Sequence, residues 1–342
     1  MAKQKNPAAL IGGIVIGLAA LSAGAYCADR LCRRMSRASA DGVFVELSTG
    51  GRMHLVSQGT GETTIVFLSG LGTPSPAIDF MPLIARLRGR YRCVVPEGFG
   101  YGYSDLTSAP RTVDNIVEET REALHLCGIH PPYVLLGHSI AGLYMQYWAA
   151  MYPEEVQAVI GEDTSVPPQC DKLPQRHVPV ALSVFNRLGL PRLFCALGGK
   201  KRLAAFCGGD PRRLSTVRML AGNNLGSRPI LDEQQRVREN CLFASAFPYP
   251  ASCKLLLFVA SESVELCKKH DFNWLAEHQR MVLAVDEGRC VELSGGHYLH
   301  RTRAREMVRE INDFLFPTDE SDEALRRARA SFSRVIGKAI RK

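Results

Sequence analysis

Ser139 stands in the stretch Gly137-His138-Ser139-Ile140-Ala141-Gly142, after the apolar run Tyr133-Val134-Leu135-Leu136 and before a helical pattern from Leu143 to Met151. A serine placed where a buried strand turns into a helix has the geometry of a nucleophile elbow. The turn is too tight for bulky neighbours, and the hydroxyl is forced out at the C-terminal edge of the sheet. The strict pattern is G-x-S-x-G; here Ala141 holds the last place and Gly142 follows it. Alanine is small enough to fit, although six residues alone leave an ordinary strand–helix turn open. A serine hydroxyl needs a base to take its proton as it attacks, and histidine, with a pKa near working pH, suits that task. Of the nine histidines, His297 follows a strand, Cys290-Val291-Glu292-Leu293, and the small pair Gly295-Gly296, so its loop can curl back over the sheet edge. His300 begins the next helical pattern and reads as structural. The backbone N–H of Ile140, at the N-terminus of the elbow helix, is a donor for charge developing on an attacked carbonyl oxygen.

These groups need a scaffold. Residues 43–57 read as a hairpin through Gly50-Gly51, followed by short buried strands at Thr64-Ile65-Val66-Phe67-Leu68 and Arg92-Cys93-Val94-Val95. Val113, Ile116, Val117, Thr120 and Leu124 mark one helix face before the elbow strand. Val156 to Gly161 and Leu255 to Val259 continue the strand series, with a helix between about Trp274 and Val285 and another from about His300 to Leu315. Strands that alternate with helices predict a largely parallel sheet covered on both faces. The glycine-rich stretch Gly98 to Gly102 follows a strand, but no helix starts there and no Gly-Lys-Ser/Thr follows, so a phosphate cradle is disfavoured.

Leu68-Ser69-Gly70-Leu71-Gly72, Gly100-Tyr101-Gly102-Tyr103-Ser104-Asp105, the elbow, and Ser294-Gly295-Gly296-His297 together resemble the α/β-hydrolase superfamily in letters, order and spacing, from about residue 43 to about residue 316. The resemblance implies an α/β-hydrolase fold: a mostly parallel central sheet flanked by helices, with a helical cap inserted at 167–250. The hydrolase body then comprises 40–166 and 251–317. It places the second oxyanion donor at the N–H of Leu71 and His138 beneath the elbow. Its usual triad acid follows the strand after the cap, where this chain reads Ala260-Ser261-Glu262-Ser263, with serine in the expected place of the aspartate. That departure favours the family's other position, the end of the strand after the elbow, here Asp163, with Glu262 as runner-up.

At 342 residues the chain has material for a sizeable core, and its composition is that of an ordinary globular protein. The net charge of +8 is concentrated at the ends: residues 1–37 and 321–342 each carry +5, which leaves the body at −2. A near-neutral body argues against a nucleic-acid-binding face. Eleven scattered cysteines without a Cys-x-x-Cys pair exclude a zinc ribbon and fit a reducing compartment. Residues 8–28 lack any charge and are long enough, at about 30 Å, to cross a bilayer as a helix. With Arg30, Arg33, Arg34 and Arg37 behind them, they predict a retained single-pass membrane anchor rather than a cleaved signal, with the body on the cytoplasmic side. Residues 321–342 read as a basic amphipathic helix, suited to an anionic membrane surface or to packing on its own domain.

The expectation is a membrane-anchored serine hydrolase that cleaves carboxylic esters through an acyl-enzyme, without cofactor or metal. Its partners would be a small ester or acyl substrate and the membrane, with no nucleic acid. Ser139 attacks, His297 moves the proton and Asp163 orients His297. A peptidase or thioesterase of the same fold shares this chemistry, and a catalytically silent binding protein is the alternative from another class. Carboxylate-nucleophile dehalogenase and epoxide hydrolase chemistries are disfavoured by Ser139.

Overall fold

The computed structural model describes residues 30–38, 40–173, 179–187, 190–198 and 200–317, with isolated positions between 17 and 28. The described strands are β1 (Val43–Glu46), β2 (Arg52–Gln58), β3 (Thr64–Leu68), β4 (Arg92–Glu97), β5 (Tyr133–His138), β6 (Val156–Glu162), β7 (Lys254–Ala260) and β8 (Glu287–Leu293). They form one sheet in the order β1-β2-β4-β3-β5-β6-β7-β8. The two pairings made by β2 are antiparallel and the others parallel. Every residue of β3 and β5 is buried, as a parallel sheet covered on both faces requires.

The helices, in chain order, are α1 (Pro76–Asp79), α2 (Met81–Leu87), α3 (Val113–Leu126) and α4 (Ala141–Met151). After β6 come α5 (Val180–Arg187), α6 (Leu190–Leu197), α7 (Lys200–Ala204), α8 (Leu214–Asn224) and α9 (Arg228–Ala244). The last described helices are α10 (Ser261–Lys268), α11 (Trp274–Leu283), α12 (Leu299–Thr302) and α13 (Ala304–Leu315). Alternate strand residues feed the two cores, because successive side chains point to opposite faces. Val66, Leu135, Val159 and Leu257 pack with Leu124, Leu143 and Trp148 from α3 and α4. Ile65, Phe67, Val134 and Ile160 pack with Leu83 and Ile84 from α2 and with Met307 and Ile311 from α13. The sheet is thereby rigid on both sides beneath the ends of β3, β5 and β6.

The segment between β6 and β7 lies against the body at several points. Asn224 donates to the carbonyl of Gly102 (2.8 Å), Gln146 to that of Ala244 (2.9 Å), and the N–H of Arg111 to Asp232 (2.7 Å).

The membrane-spanning anchor expected at 8–28 is corrected here. A span needs about 20 consecutive apolar residues in one helix, and no helix among the described residues is long and apolar enough to cross a membrane. Only a few positions of that stretch are described. Two of the arginines read as its flank make contacts with the body. Arg33 donates to Asn224 Oδ1 (3.0 Å), while Arg37 donates to the carbonyl of Tyr103 (3.0 Å) and pairs with Asp105. These charges bind the 30–38 helix to α8 and the glycine-rich loop. The single-pass location with a cytoplasmic body rested on the anchor and is withdrawn with it. The expected tail helix at 321–342 lies outside the described residues.

Candidate active site

Ser139 sits between β5 and α4 with φ at +57°, a left-handed conformation that costs about 1–3 kcal/mol for a non-glycine residue and persists only where its surroundings enforce it. The enforcement comes from the backbone. The N–H of Ser139 donates to the carbonyl of Glu162 (3.1 Å), and its carbonyl accepts from the N–H groups of Gly142 (3.1 Å) and Ser165 (2.8 Å). Gly142 must be small: a Cβ there would meet Thr164 Cβ at 2.6 Å and the carbonyl oxygen of Ser165 at 2.7 Å. Ala141, by contrast, is fully buried without such a conflict. From the other side, the loop after β3 presses on the elbow, since a Cβ on Gly70 would lie 3.1 Å from Ser139 Cβ.

Ser139 Oγ is 2.9 Å from His297 Nε2, and His297 Nδ1 is 2.6 Å from Asp163 Oδ2. The loop after β8 supplies the histidine, whose side chain is 40% exposed, while the Asp163 side chain is fully buried. Asp163 follows β6 directly, also at positive φ (+44°). Burial pushes its carboxyl up, but the hydrogen bond and charge of His297, the Ser263 hydroxyl and the N–H of Ala260 outweigh burial and hold it below the usual range. Its Oδ1 accepts from Trp274 Nε1 (2.8 Å) and the N–H of Ala260 (3.0 Å), and its Oδ2 accepts from Ser263 Oγ. Glu262 lies differently, with Oε2 3.0 Å from where a Cβ on Gly296 would be, and no bond joins it to His297 among the described residues.

A second layer fixes the histidine loop. His138 Nε2–H donates to the carbonyl of His297 (3.0 Å). Because a carbonyl only accepts, His138 must carry its proton on Nε2. Burial lowers its pKa to about 4, so it is neutral at pH 7. His300 is also fully buried, with Nδ1 2.8 Å from Glu162 Oε1 and Nε2 3.3 Å from Asp79 Oδ2. Burial lowers its pKa, but the two carboxylates overcome this and raise it to about 9, making it an imidazolium. Arg301 completes this layer, bound to Asp79 through Nε (2.7 Å) and Nη2 (3.0 Å).

Leu71 and Ile140, the expected oxyanion donors, lie on the two strand-end loops that meet at Gly70 and Ser139. A cavity of about 260 Å³ opens beside the first of these loops. Gly72, Thr73, Phe194, Leu203, Phe206 and Ile230 are among its lining residues, so it is walled by the loop and by the segment between β6 and β7. Among the described residues no group of three or more His, Cys, Asp or Glu is arranged to hold a metal ion. In the sequence Trp274 carries only the signal of a buried aromatic, and Ser263 only that of a departure from the family pattern; both donate to Asp163.

A family model for the α/β-hydrolase fold matches residues 63–203. The uncharacterized protein YbdG of Bacillus subtilis is 37% identical over 139 residues, which is 41% of this chain and 41% of that one. The chain thus spans less than half of that relative's length. A cis-3-alkyl-4-alkyloxetan-2-one decarboxylase of Shewanella oneidensis is 25% identical over 293 residues, covering 79% of this chain and 87% of the relative. Among solved structures, the enol-lactonase from Burkholderia xenovorans LB400 superposes with a TM-score of 0.54 at 17% identity, over 80% of this chain and 99% of the enzyme. The chain has the α/β-hydrolase fold.

Proposed function

We propose that this chain of α/β-hydrolase fold is a serine hydrolase that cleaves a carboxylic ester, open or cyclic, through an acyl-enzyme. The observation that carries the reading is the continuous relay Ser139 Oγ–His297 Nε2–Asp163 Oδ2, at 2.9 and 2.6 Å. A relay at these distances allows the proton to move as the nucleophile attacks. Ser139 Oγ bonds to the ester carbonyl carbon as His297 Nε2 takes the hydroxyl proton. Asp163 holds Nδ1–H and balances the imidazolium charge. The N–H groups of Leu71 and Ile140 receive the oxyanion, and His297 returns its proton to the leaving alkoxide. Water then repeats the sequence on the acyl-enzyme and releases the acid. Residues 167–250 act as a cap over a body formed by 40–166 and 251–317.

The similar proteins agree with an ester substrate: the solved neighbour is an enol-lactonase, and an oxetan-2-one, named for the Shewanella relative, is a cyclic ester. A thioester or peptide would follow the same acyl chemistry, and turnover of a substrate panel ranks them. The test is fluorophosphonate labelling together with p-nitrophenyl butyrate turnover. Wild type should label at Ser139 and turn over the ester. Ser139→Ala should lose labelling and at least about 10³-fold in kcat. Equal labelling of the two proteins would remove the enzyme reading in favour of a silent binding fold.

A further inference from the structure

The peptide planes on either side of Leu71 are each held by a side chain, and one of the two holds leads into the segment between β6 and β7. The carbonyl of Gly70 accepts from Thr73 Oγ1 (3.0 Å) and from the N–H of Thr73 (3.4 Å). In a planar trans peptide the N–H points opposite to the C=O, so this grip fixes the direction of the Leu71 N–H. The next N–H, that of Gly72, donates to Tyr101 Oη (3.3 Å). Tyr101 Oη in turn donates to Glu233 Oε2 (2.7 Å), and the other carboxylate oxygen, Oε1, accepts from Tyr144 Oη (2.6 Å). Tyr101, Tyr144 and Glu233 are all buried. Glu233 lies on α9, Tyr144 on the elbow helix α4, and Tyr101 in the loop after β4. One carboxylate therefore ties the loop that carries Leu71 to the helix that starts at the nucleophile.

The direction of each hydrogen bond is determined by chemistry. Because the Gly72 N–H can only donate, Tyr101 Oη accepts it and must send its own proton to Glu233. A carboxylate accepts both tyrosine protons, whereas an amide at the same place would present N–H₂ to one of them. Burial pushes the Glu233 carboxyl up; the two tyrosine hydrogen bonds and Arg111, which is buried and paired with Glu119 at 2.7 Å, act against burial in favour of the charged form.

We propose that Glu233 is a positioning residue, which sets the oxyanion-binding loop through the Tyr101 hydroxyl and so makes catalysis depend on the seating of α9. This rests on the ester-hydrolase reading above. Glu233 touches neither substrate nor Ser139. Its effect is to keep the Leu71–Gly72 peptide from rotating, so that the N–H ahead of it stays aimed at the developing charge. Outright loss of an oxyanion donor costs about 10²–10³ in kcat, and loosening one should cost less.

The experiment compares Tyr101→Phe, Glu233→Gln, their double variant and Tyr144→Phe in p-nitrophenyl butyrate turnover, with thermal melting to show that each is folded. Tyr101→Phe and Glu233→Gln should each lose about 10- to 100-fold in kcat with KM within about threefold, because the contact forms in the transition state. The double variant should be no worse than the poorer single one, as for residues acting in series. Tyr144→Phe removes a comparable bond from Glu233 without reaching the loop, and should lose less than about threefold. Wild-type kcat in folded Tyr101→Phe would overturn the inference. So would an equal loss in Tyr144→Phe, which would reduce Glu233 to a packing role. Should Glu233→Gln fail to fold, Tyr101→Phe against Tyr144→Phe decides alone. Absence of Ser139 labelling in wild type would instead remove the hydrolase reading and this inference with it.

Discussion

Asp163 accepts from His297, Ser263, Trp274 and the N–H of Ala260. Four donors on one buried carboxylate leave no room for a group that also donates. Asparagine offers a single acceptor oxygen, so some of these donors would face an N–H₂, and His297 would lose the partner that selects its tautomer. We expect Asp163→Asn to lower kcat about 10³- to 10⁴-fold toward p-nitrophenyl esters, while Glu262→Gln stays within about twofold. Near-normal turnover in Asp163→Asn would reassign the acid. Ser263 allows a finer test, because it stands where the family resemblance implies an acid and here donates to Asp163 from the neighbouring strand end. Ser263→Ala leaves three donors on the carboxylate and should cost no more than about 100-fold in kcat, the worth of one hydrogen bond to a charged group. A loss as large as that of Asp163→Asn would mean that the hydroxyl takes part in the proton relay itself.

The elbow as an element was legible in the chain because its constraint is local: a tight strand–helix turn selects small residues within a few positions of the serine. The substitution of Ala141 for the usual glycine has a structural explanation, since the close approach falls on Gly142, whose Cβ would meet the backbone oxygen of Ser165 at 2.7 Å. At Gly137 a Cβ would meet the end of Met145, at 2.6 Å from Cε, and that side chain can move. We therefore expect Gly142→Ala to cost about 1–3 kcal/mol by overpacking, and Gly137→Ala less, as read from urea unfolding midpoints. Equal midpoints would show that the loop at Ser165, after β6, yields freely. What the sequence hid lies between elements. Tyr101, Tyr144 and Glu233 are far apart in the chain and share no period, so nothing local signals that they meet. That Asp163 rather than Glu262 would meet His297 was suggested only by the family resemblance and the departure from it at Ser263. The arginines after residue 28 were misread for the same reason: a positive cluster behind an apolar run suits a membrane flank, and only tertiary contacts reveal Arg33 on Asn224 and Arg37 on Asp105.

For the molecule as a whole, the buried charges behind the site determine how stability follows pH. His300 has its pKa lifted by Glu162 and Asp79, against burial, to about 9. An unfolded histidine titrates near 6.5, so the folded state binds the proton more tightly. The stabilisation is fully present below about pH 6.5 and is lost as pH rises toward 9. His138 behaves in the opposite sense. Burial lowers its pKa to about 4, so its contribution is present above about pH 6.5 and is lost as pH falls. The two flanks meet near pH 6.5, which predicts a stability maximum close to neutrality although the chain's net charge is far from zero there. The His300 shift corresponds to about 3 kcal/mol across its full window, at about 1.4 kcal/mol per pH unit. The buried thiols, among them Cys93, Cys241, Cys253 and Cys290, pushed up to about 12, add their own loss as unfolded thiols ionise, from about pH 7.5 upward. Urea midpoints between pH 6.5 and 7.5 therefore report chiefly on the imidazolium. Wild type should weaken steadily across that interval, and His300→Gln, less stable throughout, should be nearly flat across it while keeping the acid flank that the buried His138 and His278, both lowered by burial, impose. A wild-type midpoint that does not change from pH 6.5 to 7.5, or an unaltered slope in His300→Gln, would mean that His300 is neutral in the folded protein. Asp79 and Glu162 would then have to be held ionised by Arg301 and their other donors alone.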